Sequence, residues 1–519
     1  MTRKDLTRGA VFPTLGFFAL PMILGNMLQQ GYNIVDTWVV GHYAGSDALA
    51  AVGAAFALMT FLTSVLLGLC MGSGVVFSLC FGRRDEEGLK KAVCASALLV
   101  AAVGALLTAL ALWATGPILV WMRIPAEIRD ITRDYLVLIF WGIPAVAMYN
   151  YFGAYLRAVG NSVTPLVFLG ISTVLNIGLD LLFVARWQQG TAGAAAATIL
   201  SQYISGLGIG VYVLVTGKAA REAFARFRVS RASLGEIAGY SGLTCIQQSV
   251  MNLGILMVQG LVNSFGTTVM AAFAAAVKVD AFAYMPAQEY GNAFSTFIAQ
   301  NMGAGEGERI RRGVRCGVLT TVSYCLAVSL VLWFLAKPLM LIFIAPEESA
   351  ILEEGVRYLH TVGPFYCGIG CLFLLYGLYR AIGKPGISVV LTVVSLGTRV
   401  ALAYSLAAVP SVGVAGIWWA IPIGWGLADL LGALLYGKYR KQFDKSGGCR
   451  TGCRFSLCAR SSTRRTTGGS PSLSRTVRRR PASARSLSGR CWEKSALLEM
   501  RYGRKRERRV SYEESLRNP

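Results

Sequence analysis

Residues 11–40 read VFPTLGFFALPMILGNMLQQGYNIVDTWVV. The run is mostly apolar, yet it carries Asn26, Gln29, Gln30, Asn33 and Asp36 at helical spacing. At about 100° per residue those side chains fall on one stripe of a helix. The stretch is long enough to cross a hydrocarbon core of ~30 Å at ~1.5 Å per residue. A carboxylate at that depth costs on the order of several kcal/mol unless it faces protein, water or an ion. An acid-bearing polar stripe in an apolar helix therefore marks Asp36 as a candidate site on an ion or solute pathway.

The rest of the chain fits the same environment. Of 519 residues, 54% are hydrophobic and 15% charged, where a soluble domain carries about 25% charged residues. The apolar residues form long blocks, and twelve of them are long enough to span a bilayer: roughly 14–36, 48–72, 92–114, 134–156, 163–184, 194–216, 239–262, 270–300, 314–336, 357–379, 386–408 and 414–437. The expected fold class is an all-α integral membrane protein. The first block is too long and too polar for a cleavable signal peptide, and no small-residue cleavage site follows it. Loops after even-numbered blocks hold sixteen Lys and Arg, those after odd-numbered blocks six. The positive-inside rule then places both termini in the cytoplasm.

Cysteine and histidine point to no metal or catalytic chemistry. Eight of twelve cysteines are scattered through the membrane blocks, where Cys behaves as a small apolar residue. His42 and His360 stand far apart, without ligand spacing. No cofactor is expected, and an enzyme would need a clustered acid, His or Ser constellation that the sequence does not display.

The formal charge of +23 is concentrated in the last segment: residues 445–519 carry 20 Lys and Arg against 5 Glu. That segment is rich in Ser, Arg, Gly and Pro and reads as a disordered basic tail. A solvated extension, a fused or misread reading frame, and a contact for anionic headgroups or RNA all remain open for it. For the chain as a whole no nucleic-acid partner is expected.

The remaining chain repeats itself. Arg157-Ala-Val-Gly160 recurs as Arg380-Ala-Ile-Gly383, Tyr135-Leu136 as Tyr358-Leu359, and Gly190-Thr-Ala-Gly193 as Gly413-Val-Ala-Gly416, all at an offset of 223. Gly82 to Val93 aligns with Gly303 to Val314 at 221. Two pseudo-symmetric six-helix lobes follow, 1–217 and 235–440, joined by a basic linker at 218–234. An even number of spans per lobe makes the repeats parallel, which encloses a central cleft between them.

The halves differ where chemistry could sit. Asp36 maps onto Gln259, Asn176 onto Arg399 and Asp180 onto Ala403. Asn176 and Asp180 share a helix face at i, i+4, as do Thr198 and Gln202 in the next block. Two carboxylates with an amide and a hydroxyl make an oxygen cage for a small hard cation, or a site for a proton. The plainer alternative is that each polar group makes a helix-to-helix hydrogen bond. In the eighth block Lys278 and Glu289, eleven apart, return to nearly one face, with Asp280 beside them. These three are expected either to pair with one another or to wall the cleft, with Arg399 countering one of the acids. Asn33, Gln202 and Gln259 complete the expected cleft lining.

Several strings resemble the multidrug and toxic compound extrusion (MATE) transporters. They are Val35-Asp36-Thr37, Ala48-Leu-Ala-Ala-Val-Gly53, Leu156-Arg-Ala-Val-Gly-Asn161, Asn176-Ile-Gly-Leu-Asp180, Phe294-Ser-Thr-Phe-Ile-Ala-Gln-Asn301 and Tyr379-Arg-Ala-Ile-Gly-Lys-Pro385. The resemblance covers about residues 10–440. It implies a V-shaped cleft between two six-helix lobes, in a monomer of the bacterial plasma membrane. It implies antiport, in which organic cations or other amphiphilic toxins leave as Na⁺ or H⁺ enters. It places an ion site at Asp36, Asn176, Asp180 and Thr198. Some relatives carry a glutamate in the seventh helix, which this chain lacks. The first rival reading is a flippase for lipids or lipid-linked sugars, whose cavity would need many cations to hold a pyrophosphate. Lys278 and Arg399 are the only clear mid-block bases, which disfavours it. A sensor that binds ligand without ion-coupled flux is a further alternative.

Overall fold

The computed structural model describes residues 4–122 and 124–446. The tail reading made for 445–519 lies almost wholly outside the described residues. Twelve helices are long and apolar enough to cross a membrane. In the first half they are α1 (Val11–Tyr43), α2 (Asp47–Arg83), α3 (Glu86–Trp113), α4 (Ala126–Ala158), α5 (Val163–Arg186) and α6 (Gly190–Thr216). In the second they are α7 (Arg231–Asn263), α8 (Thr267–Ala304), α9 (Gly307–Met340), α10 (Ser349–Ala381), α11 (Pro385–Ala407) and α12 (Val414–Tyr439). Among the described residues there is no strand.

Several helices overrun the apolar blocks that mark them. α2 and α8 continue to Arg83 and Ala304, about a turn or more beyond the hydrophobic run, because polar residues tolerate a helix well once it leaves the hydrocarbon. Left-handed residues then stop both: Arg84 at φ 57° and Gly305 at φ 76°. α4 and α10 are each interrupted near the middle, at Gly142-Ile143-Pro144 and Gly363-Pro364-Phe365. Proline lacks the N–H that would continue the ladder, so the interruptions fall at matching places of the two halves. Pro21, Pro286 and Pro422 are carried inside continuous helices. The linker is itself partly ordered: Lys218–Ala225 forms a short helix against α3, and the Ser230 hydroxyl caps the start of α7 by accepting from Ser233 N.

Large apolar side chains such as Phe12, Trp113, Trp121, Phe334 and Leu434 are exposed on the outer surface, which suits a protein solvated by lipid tails. Inside, one buried cluster is built from the first half together with Ile237 of α7, and a second from the second half. A third joins Leu15, Phe18 and Ala19 of α1 and Leu79 of α2 to Phe294, Phe297 and Ile298 of α8. The halves meet through α1 against α8, α2 against α7, and α2 against α8.

Glycines set how closely they approach. A Cβ added at Gly68 or Gly72 would lie 2.5 Å from the Cα of Cys245 or Ser241 on α7. One at Gly82 would lie 2.0 Å from the Gln300 carbonyl oxygen on α8, and one at Gly303 2.3 Å from that of Leu79. Only a residue without a side chain allows such backbone contact. These contacts sit toward the end of the bundle that carries Arg83, Arg84 and Lys90. There the segment at 4–9 also stitches the halves together. Lys4 N donates to Gly160 O at 3.2 Å and Leu6 N to Gln300 Oε1 at 3.2 Å. Gln300 Nε2 donates to Ala158 O at 2.8 Å, and Arg309 donates to the carbonyls of Leu6, Arg8 and Gly9.

Candidate functional site

Two polar sites lie inside this frame. The first is a cluster within the first half, between α1, α5 and α6. Asp36 and Asp180 lie within hydrogen-bonding reach of each other. Asn176 and Asp180, one turn apart on α5, are each 1% exposed. The Asn176 amide satisfies both its ends when Nδ2 donates to Asp180 Oδ2 at 3.0 Å and Oδ1 accepts from Thr198 N at 3.3 Å. In the opposite orientation Nδ2 donates to Thr198 Oγ1 at 3.4 Å. Immediately after Asp180 the α5 ladder loosens into a π-turn over Leu181–Arg186. Such bulges interrupt a helix at some structural cost and recur at functional positions.

Asp36 Oδ1 and Asp180 Oδ1 are buried without a hydrogen-bond partner among the described residues. No Lys or Arg among the described residues forms an ion pair with either carboxyl. Buried carboxylates are ordinarily paired, so the cluster has unused capacity for a positive charge. Two tyrosines that the sequence did not single out border it. Tyr32 and Tyr135 stand near both acids, Tyr32 on the side of Thr198. Tyr32 lies one turn before Asp36, a spacing that was available in the sequence; Tyr135 comes from α4 and had no local signal.

The second site is a cavity of about 670 Å³ between the halves. Gln202, Gln259, Asp280, Glu289 and Arg399 line it, with Asn26 and Gln29 of α1. Asn33 and Lys278 do not line it. Asn33 Nδ2 turns back to Gln30 Oε1 at 3.3 Å. The Lys278 ammonium sits 5.5 Å over the Phe343 ring, on the other side of α8, so the expected pairing with Glu289 does not form. Eleven residues return to one face only on a straight helix, and Pro286 lies between the two.

Asp280 instead accepts hydrogen bonds from the Tyr358 and Tyr366 hydroxyls, with Arg399 facing it but outside ion-pair distance. Glu289 accepts from Asn26 Nδ2 at 3.5 Å and Asn292 Nδ2 at 3.3 Å. Two further arginines, Arg157 and Arg380, line the cavity and act electrostatically on Glu289. The sequence placed them in loops after the fourth and tenth blocks. They end α4 and α10, and their long side chains reach back inside.

The polar stripe of α1 thus serves both sites. Asn26 and Gln30 meet α8 at Glu289 and Met285, while Asp36, two to three turns further on, meets α5. A bundle with a solute-sized cavity between its halves and an acidic cluster buried in one of them defines a multi-pass membrane transporter.

Comparison with known proteins narrows the class. The MatE family model matches twice, at residues 21–182 and 243–405, a spacing that reproduces the internal offset. The chain belongs to this family of multidrug and toxic compound extrusion proteins, which are transporters rather than enzymes. It is 30% identical over 400 residues to the probable multidrug resistance protein YpnP of Bacillus subtilis, covering 76% of this chain and 88% of that one. It is 23% identical over 433 residues to a protein of Shewanella oneidensis named FAD transporter, covering 81% and 93%. A solved structure described as the outward-facing conformation of a multidrug resistance MATE family transporter superposes with a TM-score of 0.80. It is 23% identical and covers 86% of this chain and 99% of that one.

Proposed function

We propose that the protein exports amphiphilic small molecules, organic cations among them, in exchange for Na⁺ or H⁺ that binds at Asp36, Asn176, Asp180 and Thr198. The observation that carries this reading is the pair of buried carboxyl oxygens on α1 and α5 that, among the described residues, have no hydrogen-bond partner and no ion pair with a basic side chain. The bundle is seated in a bacterial plasma membrane with both termini, and hence the end bearing Arg83, Arg84 and Lys90, in the cytoplasm. The conformation described is then closed on the cytoplasmic side.

Lobes 1–217 and 235–440 move as units about the linker at 218–234. Entry of a cation between Asp36 and Asp180 draws α1 toward α5. The same helix carries Asn26, Gln29 and Gln30 along the cavity and against α8. Movement of α1 therefore changes both the cavity wall and the contact between lobes. The ion shifts the alternation only by the difference in its affinity for the two states. The names borne by relatives, multidrug resistance in one case and FAD transport in another, support a broad cargo range.

Ethidium efflux from cells expressing the wild type, set against Asp180→Asn at matched membrane abundance, tests the proposal. Efflux is expected in the first and loss of it in the second. Lipid translocation in reconstituted vesicles, with no export of ethidium or any other amphiphile, would establish the flippase reading instead.

A further inference from the structure

The charged groups lining the central cavity are Arg157, Arg380, Arg399, Asp280 and Glu289, three bases against two acids. Their arrangement is uneven. At the floor of the cavity, the part nearest the C-terminal ends of α4 and α10, Glu289 feels the charge of Arg157 and Arg380, which the internal repeat relates to each other. Arg380 is 4% exposed, yet among the described residues it makes no ion pair. Its Nη2 donates to Asn292 Oδ1 at 3.2 Å, its Nη1 stands 3.8 Å from Met71 Sδ, and its Nε is buried with no partner. Arg157 makes no hydrogen bond or ion pair within the described residues, and its guanidinium lies back along its own helix over Gly153. Arg399 likewise keeps a buried Nε without a partner.

A guanidinium sealed from water with donors unspent carries a large desolvation cost, which an anion in the cavity would offset. Its planar fork matches the oxygens of a phosphate or carboxylate. One glutamate cannot neutralise two arginines, so the floor of the cavity stays net positive when Glu289 is ionised. The rest of the lining mixes the aromatic side chains Phe273, Tyr284, Phe373 and Trp425 with amides such as Gln248, Asn252 and Gln259.

We infer that this floor is a subsite for the oxyanion of an amphiphilic cargo, a phosphate ester above all, with the apolar body lying against the aromatic walls. The inference deepens the export reading and rests on it for the direction of movement, but the binding preference stands by itself. Cargo that is only cationic is disfavoured at the floor and must bind higher, near Asp280.

Pairs of probes that differ only in the phosphate test this directly with the purified full chain. Riboflavin against riboflavin 5′-phosphate, and monoacylglycerol against lysophosphatidic acid, give a soluble and a lipid arm. The phosphorylated member of at least one pair is expected to bind about tenfold more tightly, and the arm that shows the preference identifies the source. Excess inorganic phosphate is expected to compete. Arg380→Gln, and separately Arg157→Gln in case the first fails to fold, should each abolish most of the preference. Equal binding within both pairs overturns the inference even if ethidium export is intact. Folded arginine variants that keep the full preference overturn it too, and would make Arg157 and Arg380 a lock between lobes. Ethidium efflux measured alongside reads the export proposal separately.

Discussion

Gly82→Ala provides a worked test of how the lobes close. The new methyl carbon would lie 2.0 Å from the Gln300 carbonyl oxygen. An ordinary carbon–oxygen contact needs more than 3 Å, so α2 and α8 must separate by roughly 1 Å there. The obstacle is backbone on both sides and cannot rotate away. Overpacking of this kind costs about 1–3 kcal/mol. A state in which the lobes have parted at this end does not bear that cost, so the substitution acts on the equilibrium between states. Converted to a ratio, the closed state loses about 5- to 150-fold against the open one. Spin labels at Glu87→Cys and Glu308→Cys, exposed positions on opposite lobes, report it in a background without native cysteines. The closed-state distance should lose population to a longer one in Gly82→Ala. The control Gly426→Ala, whose Cβ meets nothing within 4 Å, should change nothing. An unaltered distance distribution in folded Gly82→Ala would refute the glycine contact as a determinant of closure.

Other expectations follow from the same contacts. Deleting residues 2–9 removes the bonds from Lys4 and Leu6 to both lobes and should shift the same label pair toward the longer distance. Tyr32→Phe deletes a hydroxyl that borders the acidic cluster on the side of Thr198. Removing a polar group worth about 1 kcal/mol beside the cluster should weaken apparent ion affinity about fivefold, read as the half-saturating Na⁺ or H⁺ for efflux, with ethidium binding unchanged. At the linker, the hydrogen bond from Lys90 holds the Glu222 carboxyl below its usual value. A depressed carboxyl stabilises above its unfolded value and loses that contribution as pH falls through its folded one. Glu222→Gln should therefore lower the melting temperature slightly at pH 7 and not at all below the carboxylate range, since the pair is exposed.

Much of the fold was legible because bilayer length and the repeat offset are properties of the string itself. Asn176 and Asp180 were also legible, because i, i+4 spacing on a helix settles which side chains share a face. What failed depended on details that a string does not carry. Lys278 and Glu289 share a face by spacing alone, but Pro286 lies between them and Lys278 finds Phe343 instead. Arg157 and Arg380 look like loop residues by position, and only the reach of their side chains brings them into the cavity. Tyr135 joins the acidic cluster through the packing of α4, a contact between distant parts of the chain. The backbone approaches at Gly82 and Gly303 were invisible for the same reason.

Proteoliposomes carrying the purified protein, energised in turn by a Na⁺ gradient and by a pH gradient, test the coupling claim most directly. At least one gradient should drive ethidium transport in the wild type, and Asp36→Asn should abolish that response while ethidium binding persists. Undiminished gradient-driven transport by Asp36→Asn would contradict the account.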